Sequence, residues 1–369
     1  MPGWFDYRFY LLIYFIFYIS VSFYFIENRE KPILNWIKPD LDVFRERAQN
    51  IAKGKIPILD FSLVDYPVAF GALLAILAPF SYDIVAFSQA FAIITSVLFT
   101  ATSYLLLKIL QLLKIDSKRI LFFVFSPTLM MFNWARFDII PTFSLILAIY
   151  LFLRNRNRLA GVFAGVGMLF KVYPAMFVGA DFLGKRKFFF IAVITYAIVN
   201  LPFLLINYEN SISPYTYFLS RGANPDSFFW ILQDRLGVNQ TNLVFISLAI
   251  LVVSLLFLKL RGKILETTIA LIVILLATSK VFSPQWVIWL TSLLILTKID
   301  LRYILLLDFA NVLVFPFSYA AFPAFDLFII LRHFLLYLTL YKLNILNPNI
   351  KENLISLKNA IFRTKGFHL

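Results

Sequence analysis

Cysteine is absent from this 369-residue chain, and histidine occurs only at His333 and His368. The first absence excludes a disulfide framework. Together they leave almost no material for a metal centre built on thiolates and imidazoles. Charge is scarce as well: Asp, Glu, Lys and Arg make up 15% of the residues, against about 25% in an ordinary soluble domain. Low-complexity linkers and internal repeats are also missing, so nothing in the sequence divides the chain into separate domains. Hydrophobic residues reach 61%, more than the interior of a soluble sphere of this size can accommodate, and a soluble globular protein is thereby excluded.

What is present is a series of twelve apolar runs: 9–26, 66–80, 84–112, 119–133, 138–153, 159–183, 188–206, 242–260, 264–279, 284–297, 301–319 and 324–342. About 20 residues rising 1.5 Å each span a ~30 Å hydrocarbon layer. The pattern predicts an all-α polytopic membrane protein, a bundle of about 11–12 membrane helices or half-helices. Residues 1–343 read as one transmembrane domain and 344–369 as a basic cytoplasmic tail. Bulky Phe23-Tyr24-Phe25-Ile26 offers no cleavage site, so the first run reads as a retained span. The 34 basic residues against 20 acidic ones, net +14, point to cytoplasmic loops and not to nucleic acid.

Basic clusters at Arg154/Arg156/Arg158, Lys185/Arg186/Lys187, Lys259/Arg261/Lys263, Lys298/Arg302 and in the tail are expected to be cytoplasmic. The stretch 207–241 and the turns at 133–138, 280–283 and 319–323 then face outside. Two basic clusters on one side bracket the single run 159–183, so this run must turn back, and Lys171-Val-Tyr-Pro174 is where proline would break it. The 27–65 stretch balances seven basic against seven acidic residues, and charge alone does not assign its side.

Within that stretch Leu41, Phe44, Ala48 and Ile51 share one helical face, with Asp40 at the start and Gly54 as the stop. The spacing predicts a short amphipathic helix in the membrane interface. Asp40 and Asp42 are two residues apart and point about 200° apart. Either they only cap the helix and complement its dipole, or one is an acid held at the lipid surface. Lys171 inside an apolar run is a phosphate ligand at a helix break or a snorkelling lysine. Lys280 through Trp286 gathers a cation, a hydroxyl, an amide (Gln285) and a ring, or is an ordinary helix start with Ser283 as N-cap and Pro284 at N1. Arg136 is a candidate phosphate ligand and Asp138 a cap for the next helix. Arg221 is a second anion candidate. Asp308 and Arg332, at similar depth in the last two runs, read as a buried ion pair or as the lining of a polar path.

Asp40-Leu-Asp42-Val-Phe44, then Gly54 and Tyr66-Pro67, resembles the first loop of GT-C glycosyltransferases. It is similar to the family-87 polyprenol-dependent mannosyltransferases and to the first-mannose transferase of GPI-anchor synthesis. Further matches follow in order: Ser126-Pro127, Arg136-Phe-Asp138, Lys171-Val-Tyr173-Pro174, Arg221 ahead of Asp226-Ser227, and Phe282-Ser-Pro-Gln-Trp286. The resemblance implies a multi-pass enzyme of the cell membrane, or of the ER membrane in a eukaryote, with its site at the non-cytoplasmic face. It implies a polyprenyl-phosphate sugar donor, typically carrying mannose, a glycolipid or glycan acceptor, surrounding membrane lipid, and no cofactor or metal. By position Asp40 is the base and Asp42 the reserve. Arg136, Asp138, Lys171, Tyr173, Arg221, Lys280 and Gln285 contact the substrate. Two other classes fit the composition: a secondary transporter or flippase of a lipid or small anionic solute, and a non-catalytic lipid-binding subunit.

Overall fold

A computed structural model describes residues 4–31, 34, 37, 39–64, 66–184, 187–258, 263–317 and 325–345. Among these it is all-α, with no strand. The first helices are α1 (Trp4–Glu27), α2 (Pro39–Ala52), α3 (Ala69–Leu77) and α4 (Ile84–Leu112). Next come α5 (Ile120–Val124), α6 (Pro127–Phe132), α7 (Ile139–Leu153), α8 (Asn157–Met168) and α9 (Ala175–Leu183). Then follow α10 (Phe189–Ile206), α11 (Tyr208–Ser220), α12 (Gln240–Leu256) and α13 (Ile264–Thr278). The last are α14 (Val287–Leu294), α15 (Leu301–Val312) and α16 (Phe325–Lys342). Among the described residues three helices are long and apolar enough to cross a membrane: Phe9–Glu27 within α1, α4 and α10. On α10, Ile198 and Leu205 are 67% and 78% exposed, a surface that only lipid or another chain would cover favourably. The fold is that of an all-α polytopic membrane protein.

Several apolar runs are broken, each for a local reason. Run 119–133 splits at Ser126-Pro127: Pro127 opens α6, and Ser126 Oγ accepts from Leu129 N at 3.2 Å as its cap. Run 159–183 divides into α8 and α9 across Lys171–Pro174, so the turn-back expected from charge is present. Run 301–319 leaves helical geometry at Phe315 (φ −149°, ψ 134°). The stretch 207–241 is more ordered than its polar composition suggests. Asn207 caps α11 by accepting from Asn210 N at 3.1 Å, and Asn210 Nδ2 holds the carbonyl of Ile58 at 2.9 Å. The turn at 319–323, Lys185, Arg186, Arg261 and the tail beyond Ile345 lie outside the described residues.

The run 66–80 resolves the count of crossings. Nine-residue α3 is too short to cross at 1.5 Å per residue. Both of its ends meet α2: Tyr66 packs on Phe44 with ring centroids 5.4 Å apart, and Ser81 O accepts from Gln49 Nε2 at 2.9 Å. It is a half-element that leaves and returns at one end of the bundle. From there α4 runs to the other end, and α8 and α9 form a second short out-and-back pair. Arg119, just past the far end of α4, donates to Ile295 O and Ile299 O at 2.8 and 2.6 Å, and Lys187 lies 5.4 Å over the ring of Phe152 near the end of α7, so the basic groups at Arg154, Lys187 and Lys298 gather at the end of the bundle away from α2.

Helices α8 and α10 approach closely because Gly161 and Gly165 face α10. A Cβ at Gly165 would stand 2.7 Å from Ala192 O and 2.7 Å from Thr195 Cβ. This is the small-residue packing that membrane helices use in place of a hydrophobic drive. Gly165→Ala is expected to destabilise by about 1–3 kcal/mol through overpacking, read as a lower midpoint of thermal unfolding in detergent. An unchanged midpoint would mean that α10 is free to shift.

Candidate active site

The apolar face predicted for α2 exists, but protein covers it: Leu41, Phe44 and Ala48 are buried against α3 and α4. Phe44 is gripped by the rings of Phe70 and Phe137 at 4.8 and 6.0 Å, and Gly54 ends the segment with φ +85°. Because the helix begins at Pro39, Asp40 lies within its first turn, not before it. That turn overhangs a cavity of about 510 Å³, within the ~300–1,000 Å³ range of small-molecule sites. Asp40 lines the cavity and forms an ion pair with the guanidinium of Arg136. Asp42 is half-buried and does not line it.

Arg136 is held in the tight turn between α6 and α7, where its N–H donates to Phe132 O at 2.9 Å. Neighbouring Trp134 is fully buried and donates to Met131 O at 2.9 Å. Burial lowers the Arg136 guanidinium to about 10, and the nearby charges of Asp138 and Asp226 oppose that shift. It remains a cation at neutral pH.

Asp138 is not a side-chain cap for α7. Its Oδ1 accepts from Lys171 Nζ at 2.7 Å and from Trp289 Nε1 at 2.9 Å. The helix break therefore has a purpose visible in the geometry. It places Lys171 against a carboxylate that is only 1% exposed, while the ammonium lines the cavity. Lys171 also lies over the rings of Phe137, Trp289 and Trp286, at 4.8, 5.5 and 5.9 Å. Two residues on, Tyr173 donates to Thr142 Oγ1 at 2.8 Å and stacks on Trp289 at 3.9 Å. Trp286 also stacks on Trp289, at 4.9 Å. Tyr173, Trp289 and Trp286 form one aromatic wall of the cavity.

The facing wall is the segment 221–227. Lys280 fixes it: Nζ donates to Leu219 O and Arg221 O at 2.9 and 2.7 Å. Lys280 therefore does not line the cavity and is spent on carbonyls. Burial and the charge of Arg221 lower its ammonium. Asn224 completes the junction, with its N–H on Lys280 O at 2.9 Å and its amide on Ser283 Oγ at 3.1 Å. Ser283 is thus a partner of Asn224, with no side-chain cap on the turn it precedes. Arg221 lines the cavity and donates to Asn224 Oδ1 at 2.5 Å. Gln285 is buried and lines it too.

Asp308 and Arg332 do not form an ion pair. Asp308 accepts from Ser126 Oγ at 2.5 Å and from Thr128. Arg332 donates to Asn311 Oδ1 at 2.9 Å and to the carbonyl of Asp226. Asn311 joins the two halves through Thr128 at 3.0 Å. Similar depth in two runs did not translate into contact, because the facing sides of α15 and α16 cannot be read from depth.

Asp226 is the site residue that sequence reasoning passed over. It is buried, lines the cavity and belongs to the fixed segment. Its one signal was its place after Arg221 in an ordered set of motifs. Tyr66, Asn224 and Trp289 are further lining residues without a prior assignment. Among the described residues no group of three carboxylates or histidines could hold a metal ion.

Set against known proteins, residues 64–284 match the model of glycosyltransferase family 87. The matched span holds Arg136, Asp138, Lys171, Tyr173, Arg221, Asp226 and Lys280; Asp40 precedes it and Gln285 follows it. No curated protein matches the chain.

Proposed function

This chain belongs to glycosyltransferase family 87, a membrane glycosyltransferase, and from that premise we propose that it moves mannose from a polyprenyl (dolichyl) monophosphate to a hydroxyl of a glycolipid or glycan acceptor. The observation that carries the reading is convergence. Asp40, Arg136, Lys171 and Arg221 come from four separate stretches and line one cavity. Such a reaction needs a positioned base for the acceptor hydroxyl and fixed cations for the departing phosphate. Asp40 takes the acceptor proton as the acceptor oxygen bonds to the sugar's anomeric carbon and the carbon–oxygen bond to phosphate breaks. Lys171, Arg136 and Arg221 stabilise the phosphate, and Lys280 positions Arg221 by holding its carbonyl. The stacked wall of Tyr173, Trp289 and Trp286 and the amide of Gln285 shape the sugar or isoprenoid pocket. Asp42, which does not line the cavity, has no part in this step, and Asp138 acts by orienting Lys171.

The basic clusters lie at the end away from the cavity, which supports a site at the non-cytoplasmic face of the cell membrane or its ER counterpart. The test is reconstitution in liposomes with radiolabelled mannosyl phosphoryl polyprenol and glycolipid acceptors. Label moving to the acceptor supports the reading. Label remaining on the donor, or moving only from a nucleotide sugar, overturns it. Sidedness is checked separately: in this cysteine-free chain, Asn50→Cys in α2 is expected to react with a membrane-impermeant maleimide from outside intact cells.

A further inference from the structure

Two carboxylates, not one, face the cavity. Asp40 enters on α2 from one side, and Asp226 enters on the 221–227 segment that Lys280, Asn224 and Ser283 lock in place. The cations lie around them. Arg136 pairs with Asp40 and also acts on Asp226; Arg221 acts on Asp226 from its own segment. From α16, Arg332 reaches the carbonyl of Asp226 and leans over the Phe282 ring at 3.9 Å. The Asp226 carbonyl is thus held by Arg332, while the residue lines the same cavity as Arg136, Lys171 and Arg221.

We infer that Asp226 gives a proton to the departing polyprenyl phosphate while Asp40 takes one from the acceptor hydroxyl. This rests on the polyprenyl-phosphate reading of the same site. In the step, the bond between the acceptor oxygen and the anomeric carbon forms, and the bond between that carbon and the phosphate oxygen breaks. The acceptor proton ends on Asp40 and the Asp226 proton on the phosphate, which leaves as a monoanion. Water then returns a proton to Asp226 and removes one from Asp40. The division of labour follows the environments. Asp40 is engaged as an anion by Arg136. Burial dominates at Asp226 and pushes it up to about 6, against the opposing charges of Arg332, Arg136 and Arg221. An anionic donor bound alongside raises it further, toward neutral pH.

The sign follows. Asp226 must be protonated to act, so the wild-type rate at saturating donor is expected to fall as pH rises through the carboxyl's value in the donor complex. The experiment measures kcat and KM with mannosyl phosphoryl polyprenol from pH 5 to 9 for wild type, Asp226→Asn and Asp226→Glu. Asp226→Asn is expected to lose about 10²-fold in kcat, the lower end for general acids, with little change in donor KM and with the alkaline fall abolished. Asp226→Glu keeps a carboxyl and is expected to retain the fall with a displaced midpoint. A wild-type profile with no alkaline fall, or an Asp226→Asn profile parallel to wild type, overturns the inference; the first measurement stands even if the Asn variant fails to fold. No transfer by wild type from this donor would instead overturn the underlying donor assignment.

Discussion

Asp40→Asn is expected to lower the rate of sugar transfer by about 10³–10⁴-fold, the upper range for loss of a positioned base. Donor affinity is expected to change little, because the phosphate is held by Arg136, Lys171 and Arg221. The amide keeps the shape of the side chain and one acceptor oxygen toward Arg136, but it cannot take a proton. The competing account is that Asp40 only favours the start of α2. That account predicts a stability loss of about 0.3–1 kcal/mol, the worth of an acid in a helix's first turn, and unchanged transfer per folded molecule. The two separate cleanly when kcat, donor KM and thermal midpoint are measured on one preparation. A stability loss without a kcat loss would move the base to Asp42 or Asp226. The structure already weighs against Asp42, which lies away from the cavity. That was legible from a spacing of two residues on a helix, since such residues point to different sides.

How much of the site could be read in advance depended on whether the signal was local. The break in run 159–183 was legible because a lysine and a proline sat three residues apart inside an apolar run, and both are costly there. The buried face of α2 was legible from Leu41, Phe44 and Ala48, although the surface that covers it turned out to be α3 and α4. The role of Lys280 was not legible. Its partners Leu219 and Arg221 lie about 60 residues away in the chain, and a cation beside a serine and a glutamine looks the same whether it meets phosphate or carbonyls. Asp226 was hidden for the same reason. Beside proline in a polar stretch, an aspartate reads as a turn residue. Its backbone is held by Arg332 on α16, over 100 positions later. Asp138 was mistaken for a helix cap because the cap reading needs only the next turn. Its real partners, Lys171 and Trp289, come from elements far along the chain.

That pairing supplies the second large effect. Lys171→Met is expected to damage stability and function together, and a second substitution can pull the two apart. Removing the ammonium leaves the Asp138 carboxylate 1% exposed with Trp289 Nε1 as its remaining side-chain donor, and its other oxygen has no hydrogen bond. Breaking one side of a buried pair costs about 3–5 kcal/mol. The loss of a fixed cation near a developing phosphate charge costs a further ~10²–10³-fold in rate. In Lys171→Met/Asp138→Asn the stranded charge is gone, and the amide oxygen can still accept from Trp289. About half or more of the lost stability is therefore expected to return. Transfer is not expected to recover, because nothing replaces the cation at the cavity wall. If Lys171 were only a structural counter-ion to Asp138, the double variant would regain activity along with its thermal midpoint. Recovery of the midpoint without recovery of kcat/KM assigns the ammonium to the donor.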